Sequence, residues 1–196
     1  SMAVYGVGEP PFDEKDIPKP EDPYGIAKYA IEQDLRVASE MFGIEHVTLR
    51  PHNVYGERQF LGDPYRNVIG IWMNKIMQGK SPLIYGDGEQ TRAFSYIGDA
   101  IPALSNAGFL NEPKNQTINL GSRRVYTLNQ LAKEVLVAMD SDLQPTYVET
   151  RQEVKHAHCT TKKSEELLGY EDRTSLEDGL RKMATWAENA GSMNPI

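Results

Sequence analysis

Between residues 24 and 190, short apolar runs alternate with longer stretches whose apolar residues recur at helical spacing, and this alternation constrains the fold more than any other feature. Strand-like runs at 46–49, 83–85, 93–97, 117–120 and 146–149 are interleaved with helical patterns at 24–43, 68–78, 99–109, 127–139, 161–168 and 175–190. Such a pattern predicts an α/β chain with a partly parallel sheet, because parallel strands need crossover connections. The first helix opens after Asp22-Pro23 and stops near Gly43, with Tyr24, Ala27, Ile31, Leu35, Ala38 and Phe42 on one stripe. Pro51 is expected to end the strand that begins at His46. Pro102 is expected in the first turn of its helix, where a missing N–H does no harm. The proline-rich residues 6–23 and residues 56–66 read as loop.

Composition narrows the function. At 196 residues, one core or one core plus a small lobe is expected. A net charge of −7 argues against a nucleic-acid surface or an anionic membrane, so an anionic ligand would depend on a few local cations. No apolar run approaches a membrane span. One cysteine, Cys159, excludes an internal disulfide framework and fits a reducing compartment, taken as the cytoplasm. His156 and His158 beside Cys159 lack a second Cys or a longer His spacing, so no metal site is expected.

Tyr24 and Lys28 are four apart on the first predicted helix and therefore share one face. A free phenol titrates at about 10 and is a poor base at neutral pH. A nearby ammonium favours the phenolate. A phenolate of this kind can take a proton from a sugar hydroxyl while hydride leaves the adjacent carbon for a nicotinamide. A bare Tyr-x-x-x-Lys is also a common surface pair, so the flanking residues decide.

Those flanks are ordered. Ser1-Met-Ala-Val-Tyr-Gly6 lies upstream and Leu49-Arg-Pro-His-Asn-Val-Tyr-Gly56 downstream. Gly86-Asp-Gly-Glu-Gln-Thr-Arg92, Phe94-Ser-Tyr-Ile-Gly-Asp99 and Ile118-Asn-Leu-Gly121 follow. Together they resemble the extended short-chain dehydrogenase/reductase family, in particular its NAD-dependent nucleotide-sugar epimerases of the UDP-glucose 4-epimerase type. The resemblance covers nearly the whole chain. It implies the C-terminal part of a Rossmann-type doubly wound domain plus a smaller mixed α/β substrate lobe. Residues 1–55 and 93–125 would belong to the NAD-binding domain, and 56–92 and 126–196 to the interleaved substrate lobe.

The resemblance also implies roles. Ser1 matches the hydroxyl that bonds the reacting sugar, Tyr24 the general base and acid, and Lys28 the ligand of the nicotinamide ribose. Pro51 matches a position beside the nicotinamide. Asn53 matches a substrate-contacting amide. Asn67 matches the start of a helix whose backbone amides meet the diphosphate, an arrangement suited to anions. Arg92 matches the arginine that grips the diphosphate, and Arg151 a second phosphate or ribose contact. Leu83 to Tyr85 matches the strand that recognises uracil, with Tyr85 at its end. The implied substrate is a UDP-sugar and the implied assembly of the full-length enzyme a homodimer.

Two departures bear on the reaction. Dehydratases and decarboxylases of the family carry an acid where this chain has Met2 and Ala3, so plain 4-epimerisation is favoured. Ala157, in His156-Ala-His-Cys-Thr160, falls where relatives gate the sugar pocket by side-chain size, which implies room for an N-acetyl group. A reductase or dehydratase of the same family, and a non-catalytic UDP-binding module, remain the alternative readings.

The dinucleotide-binding turn needs Gly-x-Gly-x-x-Gly between a strand and a helix. Gly6-Val-Gly8 meets Pro11 where the third glycine belongs, and Gly86-Asp-Gly88 meets Thr91. The resemblance therefore implies βαβ units on the order of a hundred residues before Ser1. NAD would belong to the full-length enzyme, its site being incomplete here. The chain alone is expected not to epimerise, to expose a sheet edge, and to self-associate.

Overall fold

The computed structural model describes residues 1–150 and 154–194. Arg151 lies outside them. A short 3-10 turn, Met2–Val4, precedes α1 (Pro23–Phe42). Asp22 caps α1, Pro23 takes its first position, and Gly43 ends it in the left-handed region at φ 68°. β1 (Val47–Pro51), β2 (Val54–Tyr55), α2 (Val68–Met77), β3 (Leu83–Tyr85), β4 (Thr91–Ala93) and β5 (Ser95–Tyr96) follow. Then come α3 (Ile97–Phe109), β6 (Gln116–Leu120), β7 (Val125–Thr127), α4 (Leu128–Ala138), β8 (Thr146–Val148), β9 (His156–Ala157), α5 (Lys162–Leu168) and α6 (Leu176–Ala190). Thr127 and Gln130 form a reciprocal capping box at α4.

The fold is mixed α/β with parallel pairing. β1 runs parallel to β6, β2 to β5, and β3 to β8. β4 sits between antiparallel β7 and parallel β9. The largest core cluster joins α2, α4 and α6 around Trp72, Met73, Leu131, Val135, Leu180 and Met183. A second, of Ala100, Ala103, Ile118, Leu120, Leu168 and Tyr170, packs α3 and α5 on β6. A third holds Val4, Tyr5, Phe12, Ala157 and Cys159.

Pro51 ends its strand as expected: it pairs with Leu120 as the last residue of β1, and the next N–H, from His52, donates to the Leu120 carbonyl. Three local expectations are corrected. The run 93–97 is not one strand. The chain changes partners at Phe94, where the Asn53 side chain donates to Ala93 O and Ser95 N donates to Asn53 O. α3 starts at Ile97, which puts Pro102 inside the helix and leaves the Gly98 carbonyl without its helical donor. Asp99 is diverted from capping: its carboxylate accepts from the Thr174 amide and hydroxyl. Finally, the apolar stripe of α1 is not a buried face, since Tyr24, Ile31 and Phe42 are exposed and only Gly25 is fully buried.

Candidate active site

A cavity of about 470 Å³ opens between α2, β3, β4, Asn53 with β2, and the loop at 61–67. One wall of the cavity is α2, which stands close to β3 because the Trp72 indole N–H donates to Leu83 O at 3.0 Å. Trp72 is itself buried. The cavity's upper turn is set by Asp63, whose carboxylate accepts from the Tyr65 and Arg66 amides and from Arg66 Nε. These bonds hold the carboxyl below the usual range, the Tyr65 amide contributing most.

Asn53, Asn67, Tyr85 and Arg92 all line this cavity. Asn67 occupies the N-cap position of α2 at φ 65°, yet its side chain makes no capping bond. The first-turn amides of α2 are thus left for another acceptor, and the helix end favours an anion. Arg92 is oriented by the chain it crosses, donating to Thr91 O at 2.8 Å, Val154 O at 2.5 Å and Lys155 O at 3.0 Å. The Tyr85 carbonyl accepts from Gln90 at 2.8 Å. Among the described residues, Lys75 and Lys80 join Arg92 in the lining, together with the carboxylate of Asp63. Sequence reasoning missed both lysines. Val68, Ile71 and Lys75, at i, i+3 and i+7 on one face of α2, carried the available signal.

Ser1, Tyr24, Lys28 and Pro51 lie outside that lining. The Lys28 ammonium sits 5.4 Å from the Tyr24 ring centroid, so the pair does share a face of α1. Tyr24 is 47% exposed. Between them, Gly25 lets the helix approach the 3-10 turn: a Cβ there would stand 2.6 Å from Ala3 O. Ser1 Oγ accepts from the Ala3 amide, which ties it to the same turn. Pro51 is half-buried at the carboxyl end of β1. The structure therefore groups Asn53, Asn67, Tyr85 and Arg92 around the cavity and Ser1, Tyr24 and Lys28 around the start of α1, with Pro51 apart at the end of β1.

Behind the second group lies a buried polar cluster that sequence reasoning also missed. Arg50 donates bidentately to Glu32, at 3.0 and 2.6 Å, and lies 4.7 Å from the Tyr5 ring centroid. The Tyr5 hydroxyl donates to Asn119 Oδ1 at 2.7 Å, and burial pushes that phenol up to about 12. His52 is fully buried, and neither ring nitrogen has a hydrogen-bond partner among the described residues. Burial, with neighbouring positive charge, pushes its imidazole down to about 3. A charged residue inside the short apolar strand at Arg50 was the available signal.

The remaining motif residues have structural duties. Ala157 is buried with Val4, Tyr5, Phe12 and Cys159. His156 Nδ1 lies 2.8 Å from Thr91 Oγ1. Gly86 and Gly88, both at positive φ, turn β3 into β4. Gly6 and Gly8 lie in the loop that precedes α1. Among the described residues, neither glycine pair joins a strand to a helix.

Residues 1–121 match the profile of the NAD dependent epimerase/dehydratase family. The chain is 36% identical over 193 residues to a putative UDP-glucose 4-epimerase of Methanocaldococcus jannaschii, covering 95% of this chain and 60% of that protein. It is 30% identical to the UDP-N-acetyl-alpha-D-glucosaminuronate decarboxylase of Bacillus cytotoxicus, covering 93% of this chain and 60% of that protein. Among solved structures, UDP-glucose 4-epimerase of Thermotoga maritima with UDP-glucose superposes with a TM-score of 0.87 at 34% identity, covering 96% of this chain and 61% of that one. The chain thus spans about 60% of the length of the relatives it matches.

Proposed function

We propose that this chain, which belongs to the NAD dependent epimerase/dehydratase family, supplies the catalytic helix and the nucleotide-sugar pocket of a UDP-sugar 4-epimerase. One observation carries the reading: Asn53, Asn67, Tyr85 and Arg92 converge on one cavity that also offers a helix N-terminus without a side-chain cap. Among the described residues, the lysines Lys75 and Lys80 and Arg92 in the lining suit a diphosphate there, although the whole chain is acidic. The diphosphate lies between the start of α2 and Arg92, and the base against β3, with Asn53 toward the sugar. A contact from Arg151 to the phosphate or ribose belongs to the same proposal.

In this reading Tyr24 takes the proton of the sugar C4 hydroxyl and returns it after the keto-sugar has turned over in the pocket. Lys28 holds the phenolate electrostatically and binds the nicotinamide ribose. Ser1 bonds the same sugar oxygen, its hydroxyl both donating and accepting. Pro51 borders the nicotinamide. Lys28, 5.4 Å from the Tyr24 ring, with Pro51, would hold the nicotinamide end of NAD, which would supply the hydride acceptor and donor for C4. No Gly-rich turn for its pyrophosphate joins a strand to a helix among the described residues, so we expect weak NAD binding and no turnover by this chain alone.

Met2 and Ala3 carry no acid, which favours epimerisation over the decarboxylation of the Bacillus relative. Ala157, although buried beside Val4 and Cys159 outside the cavity lining, is the small residue that this reading takes as allowing an N-acetyl sugar. A UDP-binding module without turnover is the second reading, favoured by the open position of Tyr24 outside the cavity. The lone cysteine, Cys159, suits a reducing, cytoplasmic setting. Exposed Ile101, Leu104 and Phe109 on α3, with those of α1, suit a homodimer.

The test is turnover of UDP-glucose. The purified chain with NAD is expected to give none. The chain fused behind the NAD-binding segment of the Methanocaldococcus relative is expected to give UDP-galactose, with a loss of about 10²–10⁴-fold in Tyr24→Phe. A folded fusion that binds NAD and converts neither plain nor N-acetylated UDP-sugars would overturn the epimerase reading.

A further inference from the structure

We propose that Arg50 and Glu32 are positioning residues: their buried ion pair, seated on Tyr5, fixes the rotation of α1 and so the direction in which Tyr24 and Lys28 point. The inference rests on the reading above that Tyr24 and Lys28 act as a pair.

Apolar packing does little to hold α1. Ile26, Ile31, Val37, Met41 and Phe42 are all exposed, and Gly25 is the one fully buried residue of the helix. The inward contacts that remain are Gly25 on Ala3 O, Tyr29 on the Val4–Phe12 cluster, and Glu32 on Arg50. They fall at i, i+4 and i+7, which is one face of a helix. Tyr24 and Lys28 each precede one of these positions, on the adjacent face. A slip of one residue would turn the helix by roughly 100° and carry the pair away from the turn that begins at Ser1.

The ion pair has the geometry to prevent that slip. Side-chain exposure is 4% for Arg50 and 10% for Glu32, so water scarcely competes. Two parallel N–H···O bonds fix an angle as well as a distance. The pleat of β1 assigns the residues: Val47 and Leu49 pack on the α3–β6 cluster, whereas Thr48 and Arg50 line a groove with Tyr29 and Glu32 of α1. Tyr5 beneath the guanidinium is anchored by Asn119 of β6, whose own amide donates to Phe12 O at 3.1 Å. One contact chain thus joins α1, β1, β6 and the segment that begins at Ser1. Arg50 Nη1 has no hydrogen-bond partner among the described residues, so desolvation of the guanidinium is incompletely offset. Stability alone is therefore a poor account of the pair, because such pairs are often replaceable by apolar side chains.

The experiment uses the chain with 3-fluorotyrosine at position 24 and compares Glu32→Gln, Arg50→Lys and the apolar double variant Glu32→Leu/Arg50→Met. Three readouts are taken: amide hydrogen exchange, the fluorine resonance, and calorimetric UDP titration. In Glu32→Gln, exchange across α1 and residues 2–5 is expected to quicken at least tenfold and the fluorine resonance to shift or split. Exchange in α2, α4 and α6 and the UDP affinity should stay within twofold. Arg50→Lys, which keeps the charge and loses the fork, should fall between. The double variant should regain protection in α1 without regaining the wild-type fluorine resonance. An unchanged fluorine resonance in Glu32→Gln, or its full return in the double variant, would overturn the inference. If Glu32→Gln fails to fold, the double variant decides. Failure of the wild-type chain to bind UDP would count against the proposed function alone, since the fluorine signal reads α1 independently.

Discussion

Around the cavity, α2, α4 and α6 bury Trp72, Leu131, Leu180 and Met183 in one apolar cluster, whereas α1 buries Gly25 and leaves Phe42 72% exposed. The first region is positioned by close-packed apolar surface. The second is positioned by a close backbone approach, a buried ion pair and a tyrosine. Apolar packing resists deformation but tolerates repacking, while a bidentate pair gives direction and is costly to break. Under the proposed function, the first region would supply the shape that a nucleotide pocket needs, and the second the aim that a proton-transferring pair needs.

The contrast can be broken by mutation. Trp72→Ala should have the largest effect, about 3–5 kcal/mol of stability in urea melts, because it empties a packed site and frees the Leu83 carbonyl. A loss below about 1 kcal/mol would mean that the cavity wall is not held as described.

Acid should weaken the second region next. The folded chain keeps His52 neutral down to about 3, whereas the unfolded imidazole protonates near its ordinary 6.5. Stability from this group is complete above 6.5 and is lost as pH falls from there toward 3. The slope reaches about 1.4 kcal/mol per pH unit. His52→Leu should flatten that limb of the pH–stability curve; an unchanged limb would assign it to other groups.

Thr127→Ala removes one half of the α4 capping box and should cost about 1 kcal/mol, with a matching fall in the urea midpoint. Phe42→Ala should be smallest, within about 0.5 kcal/mol in the same melts. A larger loss would show that the apolar face of α1 is covered in solution, by a second copy or by another segment.

Helix ends were legible because their causes are local: Asp22-Pro23, Gly43, Thr127 and Ser175 each act within one turn. Asn53, Asn67, Tyr85 and Arg92 were singled out through resemblance, and they do line one cavity. What escaped was set by distant partners. The break at Phe94 depends on Asn53, forty residues earlier in the chain. The start of α3 depends on Thr174, which takes the Asp99 carboxylate. The buried face of α1 depends on Ala3 and Arg50, so the helix was visible from its period but its orientation was not.

The central claim is that this cavity holds a nucleotide diphosphate, and calorimetric titration with UDP tests it most directly. The wild-type chain should bind one UDP, and Arg92→Ala should weaken that affinity by about 10–100-fold, or roughly 1.4–2.7 kcal/mol, with its circular dichroism intact. No heat from a folded wild-type chain, or equal affinity in Arg92→Ala, would contradict it.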